Sequence, residues 1–115
     1  MKDILVIGDS CQDVFAYCKC DRICPEVPAP VLNYLYSVKS GGMANNVLKN
    51  IQGLNVKCDL LTNSDWHNVT KTRYVDKDTN YMFARVDSHT SVQPISLNDI
   101  NFDYKIIVIS DYDKG

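Results

Sequence analysis

Residues 40–46, Ser-Gly-Gly-Met-Ala-Asn-Asn, are the first place where the residue types suggest chemistry. Gly41 and Gly42 stand side by side directly before a run with helical spacing. Paired glycines let a ligand approach the backbone closely, and the amide groups at a helix start attract polar or anionic groups. The stretch therefore predicts a binding site at these glycines. A tight turn before the helix is the alternative interpretation.

Basic residues on a predicted hairpin form a second candidate. Residues 70–87 contain two strand-like runs around the polar turn Asp-Lys-Asp-Thr-Asn. Lys71 and Arg73 are two residues apart, so they share one face of the first strand, and Arg85 lies on the second. Arginine binds phosphate bidentately, so this pair suits a phosphate group. The alternative is a solvated edge strand whose charges prevent aggregation.

Two more charged residues follow the most apolar run of the chain, residues 104–110. Asp111 and Lys114 come directly after this predicted strand. Ligands of open α/β sheets bind beyond the carboxyl ends of the strands. Both residues are therefore candidates for ligand binding.

The five cysteines raise the question of a zinc site. Cys18, Cys20 and Cys24 cluster, but structural zinc needs four ligands, usually in paired Cys-x2-Cys arrangements. Cys11 or Cys58 would have to fold back to supply the fourth. We therefore favour reduced thiols and predict no metal site.

The periodicity predicts an α/β fold in a single domain over residues 1–115. Short apolar runs predict three core strands of a small parallel sheet, at about 3–9, 56–61 and 104–110. One main helix is predicted at about 43–53, with Gly53 as its stop. Residues 14–38 and 70–87 are predicted to form a β-strand lid.

One helix cannot cover both faces of a parallel sheet, so apolar surface should remain exposed. We expect a homodimer that buries this lid and sheet surface. The net charge of −2 and the dispersed basic residues argue against nucleic-acid or membrane partners. The apolar run before Gly8 is too short for a signal peptide, so a cytoplasmic location is expected.

Several motifs, taken in order, resemble those of one enzyme superfamily. They are Val-Ile-Gly-Asp-Ser-Cys-Gln-Asp, Arg-Ile-Cys-Pro-Glu-Val-Pro-Ala-Pro-Val, Gly-Gly-Met-Ala-Asn-Asn-Val and Ser-Asp-Tyr-Asp-Lys-Gly. The chain resembles the ribokinase-like sugar kinases, and within them the heptose-7-phosphate kinase domain of the bifunctional ADP-heptose synthases. The resemblance implies a truncated ribokinase-like fold of which only the substrate-side half is present.

The resemblance also implies roles for individual residues. It makes Asp13, at the end of the first strand, an acceptor of hydrogen bonds from sugar hydroxyls, with Asp9 as a weaker candidate. Asn46 matches the asparagine of the family's Asn-Val-x-x-Asn-Ile and is the implied sugar contact, which leaves Asn45 as a candidate helix cap. The implied substrate-binding set is Asp13, Gly41, Gly42, Asn46, Lys71, Arg73, Asp111 and Lys114.

The chain departs from this family in ways that bear on activity. It contains neither the Gly-Ala-Gly-Asp motif, which carries the family's catalytic base and anion hole, nor a P-loop. The family's small residue after the glycines is Met43 here. We therefore expect no catalytic residue and no cofactor in this chain, although the family uses ATP and magnesium. The leading hypothesis is a sugar-phosphate binder that is inactive alone. The alternatives are half of a split kinase, and an interaction protein with a relic pocket.

Overall fold

The computed structural model describes residues 2–88, 91–98 and 100–114. The elements in chain order are β1 (Lys2–Gly8), β2 (Ser10–Ile23), β3 (Pro30–Met43), α1 (Ala44–Gln52), β4 (Cys58–Leu61), β5 (Thr70–Asp76), β6 (Met82–Asp87) and β7 (Tyr104–Ser110). No helix within these ranges is long and apolar enough to cross a bilayer.

The first sheet contains three parallel strands in the order β4-β1-β7. Its central strand supplies the buried side chains Leu5 and Val6. Helix α1 packs against β4 and β1 and also touches β3. The small parallel sheet and its one helix are those that the sequence predicts. The helix ends before Gly53, which keeps a helical φ of −62°, whereas Asn55 adopts the left-handed φ of 60°.

The second sheet has four strands in the order β3-β2-β5-β6. Strands β2 and β5 pair in parallel, and each also has an antiparallel neighbour. The predicted hairpin is present as β5 and β6. Both β2 and β3 run further than predicted, and the glycine pair lies inside β3 rather than in a turn before the helix. The reason is tertiary for Gly42, because the side chains of Cys11 and Asp13 on β2 lie against it, whereas the side chain of Asn45 lies against Gly41.

Apolar side chains remain exposed on both sheets, as expected for a sheet with one helix. Ile106 and Ile107 are 54% and 43% exposed, and adjacent strand residues point to opposite faces. Both faces of β7 are therefore open. On β3, Tyr34, Tyr36 and Val38 are also exposed.

Candidate functional site

The second sheet brings a carboxylate and several cations onto one face. Asp13 on β2 is in register with Lys71 on β5, and Lys71 is in turn opposite Asp87 on β6. Arg73 is directly opposite Arg85. Alternate residues of a strand share a face, so these five side chains form one surface, which we call the charged face.

Asp13 lies at the centre of this arrangement. The sequence places it at the end of the first strand, but the structure places it in the first half of β2, because β1 ends at Gly8 and β2 begins at Ser10. Its Oδ1 atom accepts a hydrogen bond from Nη1 of Arg73 at 3.2 Å. Its other oxygen lies over Gly42, where an added Cβ would come within 2.5 Å of Oδ2.

The two glycines serve different neighbours. Gly42 makes room for the side chains of Asp13 and Cys11, whereas the side chain of Asn45 fills the space beside Gly41. Successive strand residues point to opposite faces, so only Gly42 belongs to the charged face. Neither glycine has a positive φ, which shows that close approach, not backbone freedom, is what glycine provides here.

The structure also distinguishes the two asparagines. The predicted capping role of Asn45 is wrong, because Met43 is the N-cap residue and makes no side-chain cap hydrogen bond. An Asn45 amide atom instead lies 2.6 Å from the Cβ position of Gly41. Asn46 is exposed on α1.

Met43 adopts a strained backbone conformation at the start of the helix. Its φ of 57° and ψ of −123° lie in a region that non-glycine residues rarely adopt. The side chain is buried with Cys11 and Val69. Its sulfur lies 3.3 Å from Nζ of Lys71, so Met43 contacts a residue of the charged face.

Arg85 and Asp87 form the tightest ion pair on this face. Nε and Nη2 of Arg85 donate to the two carboxylate oxygens of Asp87 at 2.9 and 2.8 Å. Hydrogen bonds from Arg85 are the main reason why the pKa of Asp87 is lowered, and the charges of Lys71 and Lys114 contribute. Lys114 therefore lies within electrostatic reach of the charged face. The predicted site did not include this pair, although spacing of two on a strand was a usable signal.

Cys11 lies on the same face of β2 as Asp13, at its buried end, and its thiol is unreactive. It is fully buried, and its Sγ atom donates to Oδ1 of Asp13 over 3.8 Å. Burial, followed by the charge of Asp13, raises the pKa of Cys11 to about 11. The thiolate is therefore scarce at neutral pH. All five cysteines are free thiols.

Asp9 holds the last described segment of the chain rather than offering a free carboxylate. Its Oδ1 and Oδ2 accept hydrogen bonds from the backbone amides of Tyr112 and Lys114, both at 2.9 Å. The Lys114 carbonyl accepts a hydrogen bond from the amide of Val92. Gly115, the last residue of the Ser-Asp-Tyr-Asp-Lys-Gly motif, lies outside the described residues.

Asp111 does not join the charged face. It is exposed and lines a cavity of about 220 Å³ at the carboxyl ends of β1 and β7. The other lining residues are Ile7, Gly8, Asp9, Val92, Gln93, Ile95, Ile109 and Ser110. The predicted site residues are thus divided, with Asp13, Gly42, Lys71 and Arg73 together and Asp111 elsewhere.

A metal ion is held by several ligating side chains that lie close together. Across residues 2–88, 91–98 and 100–114, no three His, Cys, Asp or Glu side chains cluster closely enough to hold a metal ion. The sequence has no Gly-Ala-Gly-Asp motif to form an anion hole.

Sequence comparison finds similar curated proteins. The chain is 37% identical over 83 residues to the bifunctional protein HldE of Helicobacter pylori strain J99, across 66% of this chain and 18% of that protein. It is 28% identical to the bifunctional protein HldE of Vibrio parahaemolyticus, across 97% of this chain and 30% of that protein. The chain thus spans less than a third of the length of these relatives. No protein-family model matches it.

A solved carbohydrate kinase from Agrobacterium tumefaciens is a distant structural neighbour. Its TM-score is 0.39 at 13% identity, across 76% of this chain and 35% of that one. The sequence matches, rather than this structural likeness, carry the assignment. Through the part of HldE that it matches, the chain is related to the ribokinase-like sugar kinases, as its motifs predict.

Proposed function

We propose that the charged face binds a sugar phosphate. One observation carries the proposal. Asp13 lies between the bare backbone of Gly42 and the guanidinium of Arg73, within a group of three cations and two carboxylates. A carboxylate accepts hydrogen bonds from sugar hydroxyls, and the adjacent cations suit a phosphate. The relation to HldE makes a heptose 7-phosphate the first ligand to test.

The individual cations differ in their availability. Arg85 is engaged by both oxygens of Asp87, whereas the ammonium group of Lys71 contacts the thioether of Met43. A thioether is a weak hydrogen-bond acceptor, so a phosphate oxygen would be a better partner for Lys71. Lys71 and Arg73 are therefore the proposed phosphate ligands, and Asp13 is the proposed hydroxyl ligand.

We further propose that this chain binds the acceptor without phosphorylating it. Phosphoryl transfer needs a positioned nucleotide, a base and charge-neutralising groups around the transferred phosphate. The residues gathered on the charged face could supply only the acceptor side. An assay with ATP, magnesium and heptose 7-phosphate should show no product above the level of a protein-free control.

Calorimetric titration with heptose 7-phosphate tests the binding proposal. The wild-type protein should release heat, and both Asp13→Ala and Lys71→Ala should weaken binding tenfold or more. Arg22→Ala is a matched control, because Arg22 is an exposed arginine at the far end of β2. Wild-type protein that shows neither heat nor thermal stabilisation with this ligand would contradict the proposal.

We also propose that two copies associate through the exposed apolar surface of the second sheet. Tyr36 is 45% exposed and stacks on Tyr17 with ring centroids 5.0 Å apart. Light scattering should give a dimer mass, and Tyr36→Glu should give a monomer. A monodisperse wild-type monomer would contradict this.

The open faces of β7 favour a second candidate function, half of a kinase completed by another polypeptide. Ile109 is 76% exposed, so a large apolar side chain is accessible to a partner chain. This candidate predicts that a chain with a Gly-Ala-Gly-Asp motif copurifies with the tagged protein from its native cells. The complex, and neither part alone, should then phosphorylate heptose 7-phosphate.

A further inference from the structure

The ion pair between Arg73 and Asp13 joins the two halves of the proposed site. Nη1 of Arg73 lies 3.2 Å from Oδ1 of Asp13, and the side chains are 25% and 24% exposed. Arg73 is the proposed phosphate ligand and Asp13 the proposed hydroxyl ligand. In this structure the guanidinium of Arg73 and the carboxylate of Asp13 therefore bind each other.

This pair is built more loosely than its neighbour on the same face. Arg85 uses two nitrogens to reach both oxygens of Asp87, whereas the only contact of Arg73 with Asp13 is through one nitrogen and one oxygen. Bidentate arginine–carboxylate pairs are the stronger and more specific ones. An incoming anion would therefore displace Arg73 more readily than Arg85.

Arg73 has a second favourable neighbour that keeps it close when it leaves Asp13. Its guanidinium carbon lies 5.4 Å from the centroid of the Phe15 ring, within the range of a cation–π interaction. Phe15 is in register with Arg73 across β2 and β5. The guanidinium can thus shift towards a phosphate without losing all of its support.

We propose that the Arg73–Asp13 ion pair couples phosphate recognition to hydroxyl recognition. A phosphate draws Arg73 away and thereby frees Asp13 for the sugar hydroxyls. The inference rests on the proposed function and adds to it a preference for phosphorylated sugars over free sugars. A phosphorylated sugar breaks the pair once and gains both sets of contacts, whereas a free sugar or free phosphate breaks it for only one set.

The coupling predicts that Arg73→Ala changes the affinities for the two ligands in opposite directions. In Arg73→Ala, Asp13 has no arginine partner, so the unphosphorylated heptose should bind about two- to five-fold more tightly than to wild type, the range expected for loss of a partly exposed ion pair. The same variant should bind heptose 7-phosphate at least tenfold more weakly. Arg73→Gln, which keeps more of the side-chain packing, should likewise bind heptose more tightly and heptose 7-phosphate more weakly than wild type.

A second arm measures the coupling directly. Saturating inorganic phosphate should tighten the binding of unphosphorylated heptose to wild type, because the anion holds Arg73 away from Asp13. Phosphate should have no such effect in Arg73→Ala. By linkage, the heptose should tighten phosphate binding by the same factor. Arg22→Ala should behave as wild type in every titration.

The outcomes separate the inference from the proposed function. If Arg73→Ala and Arg73→Gln weaken both ligands, Arg73 is only a ligand and the coupling is wrong, while sugar-phosphate binding stands. If phosphate leaves heptose binding to wild type unchanged, the coupling is also wrong. If wild type binds neither heptose 7-phosphate nor heptose, the proposed function fails and the coupling fails with it.

Discussion

Asn63 holds the junction between the two sheets, and its removal should destabilise the protein strongly. The residue is fully buried and follows β4 in the chain. Its Oδ1 atom accepts a hydrogen bond from the Ser10 amide at 2.7 Å, and its Nδ2 atom donates to the Ser10 carbonyl at 3.2 Å. Ser10 is itself fully buried at the start of β2. The amide thus acts like a neighbouring strand for that residue.

The size of the effect follows from the groups that Asn63→Ala leaves without this partner. A buried donor or acceptor that loses its partner costs about 1–3 kcal/mol. Two such backbone groups on Ser10 give a loss of about 2–6 kcal/mol in the free energy of unfolding. We take about 3 kcal/mol, because water can enter part of the space that the amide leaves. With an unfolding entropy of about 2.1 cal/mol/K per residue, this loss lowers Tm by about 12 °C.

Thermal and urea unfolding measure this change. Asn50→Ala is the matched control, because Asn50 is exposed on α1 and alanine favours a helix, so its stability should stay within about 0.5 kcal/mol of wild type. Asn63→Asp gives a second test. It keeps the acceptor for Ser10 but places a carboxylate where Nδ2 now donates to Oδ1 of Asp65 at 2.7 Å. A Tm loss below about 3 °C for Asn63→Ala would refute the reasoning, since it implies that neither Ser10 group loses a needed partner.

Two further predictions concern the charged face. Gly42→Ala should cost about 1–3 kcal/mol of stability by overpacking and should weaken heptose 7-phosphate binding, since its Cβ would lie 2.5 Å from Oδ2 of Asp13 and 2.8 Å from Sγ of Cys11. Urea unfolding measures the stability and calorimetry measures the binding. Gly53→Ala is the control, because the helical φ of Gly53 accepts alanine. Equal stability of the two variants would contradict the packing argument. For Asp87, a lowered folded pKa means that the stabilisation is complete above about pH 4 and is lost as the pH falls through the folded value. NMR titration should show this pKa rising towards its ordinary value in Arg85→Gln, and an unchanged pKa would show that Arg85 is not the cause.

The first sheet could be predicted because its signals are local. The strand at residues 104–110 has the bounds of β7, since a β-branched run between polar residues leaves little choice. The spacing of Val47, Leu48 and Ile51 predicts a helix whatever surrounds it. Such patterns depend on neighbours within a few residues and are readable without the tertiary structure.

The glycine pair could not be placed from sequence because its role is non-local. Glycines usually mark turns, yet here β3 continues through Gly41 and Gly42. What requires glycine at position 42 is the side chain of Asp13, which lies on another strand, whereas Gly41 faces Asn45. A sequence pattern predicts the glycine but not the neighbour that needs it.

The sequence could not show which of Asn45 and Asn46 faces Gly41, and here the reason is the exact start of the helix. The helix begins at Ala44, and moving that start by one residue rotates every side chain by about 100°. Asn45 or Asn46 would then face Gly41, depending on where the first turn begins. The pairing of Arg73 with Asp13 likewise depends on the order β2-β5, which no local pattern reveals.

The elongated shape of the chain bears on the proposed association of two copies. The radius of gyration is 18.0 Å, whereas a compact domain of this length has about 13 Å. The extents of 61 × 29 × 17 Å describe a thin body, and apolar residues are exposed on both β3 and β7. Asp13 is on β2, next to β3, so a copy covering β3 would also steady the strand that carries the proposed hydroxyl ligand. Tyr36 lies opposite Tyr17 and therefore on the same sheet face as Asp13, so the proposed association and the proposed binding should each change the other by the same factor. Light scattering with and without heptose 7-phosphate measures this coupling.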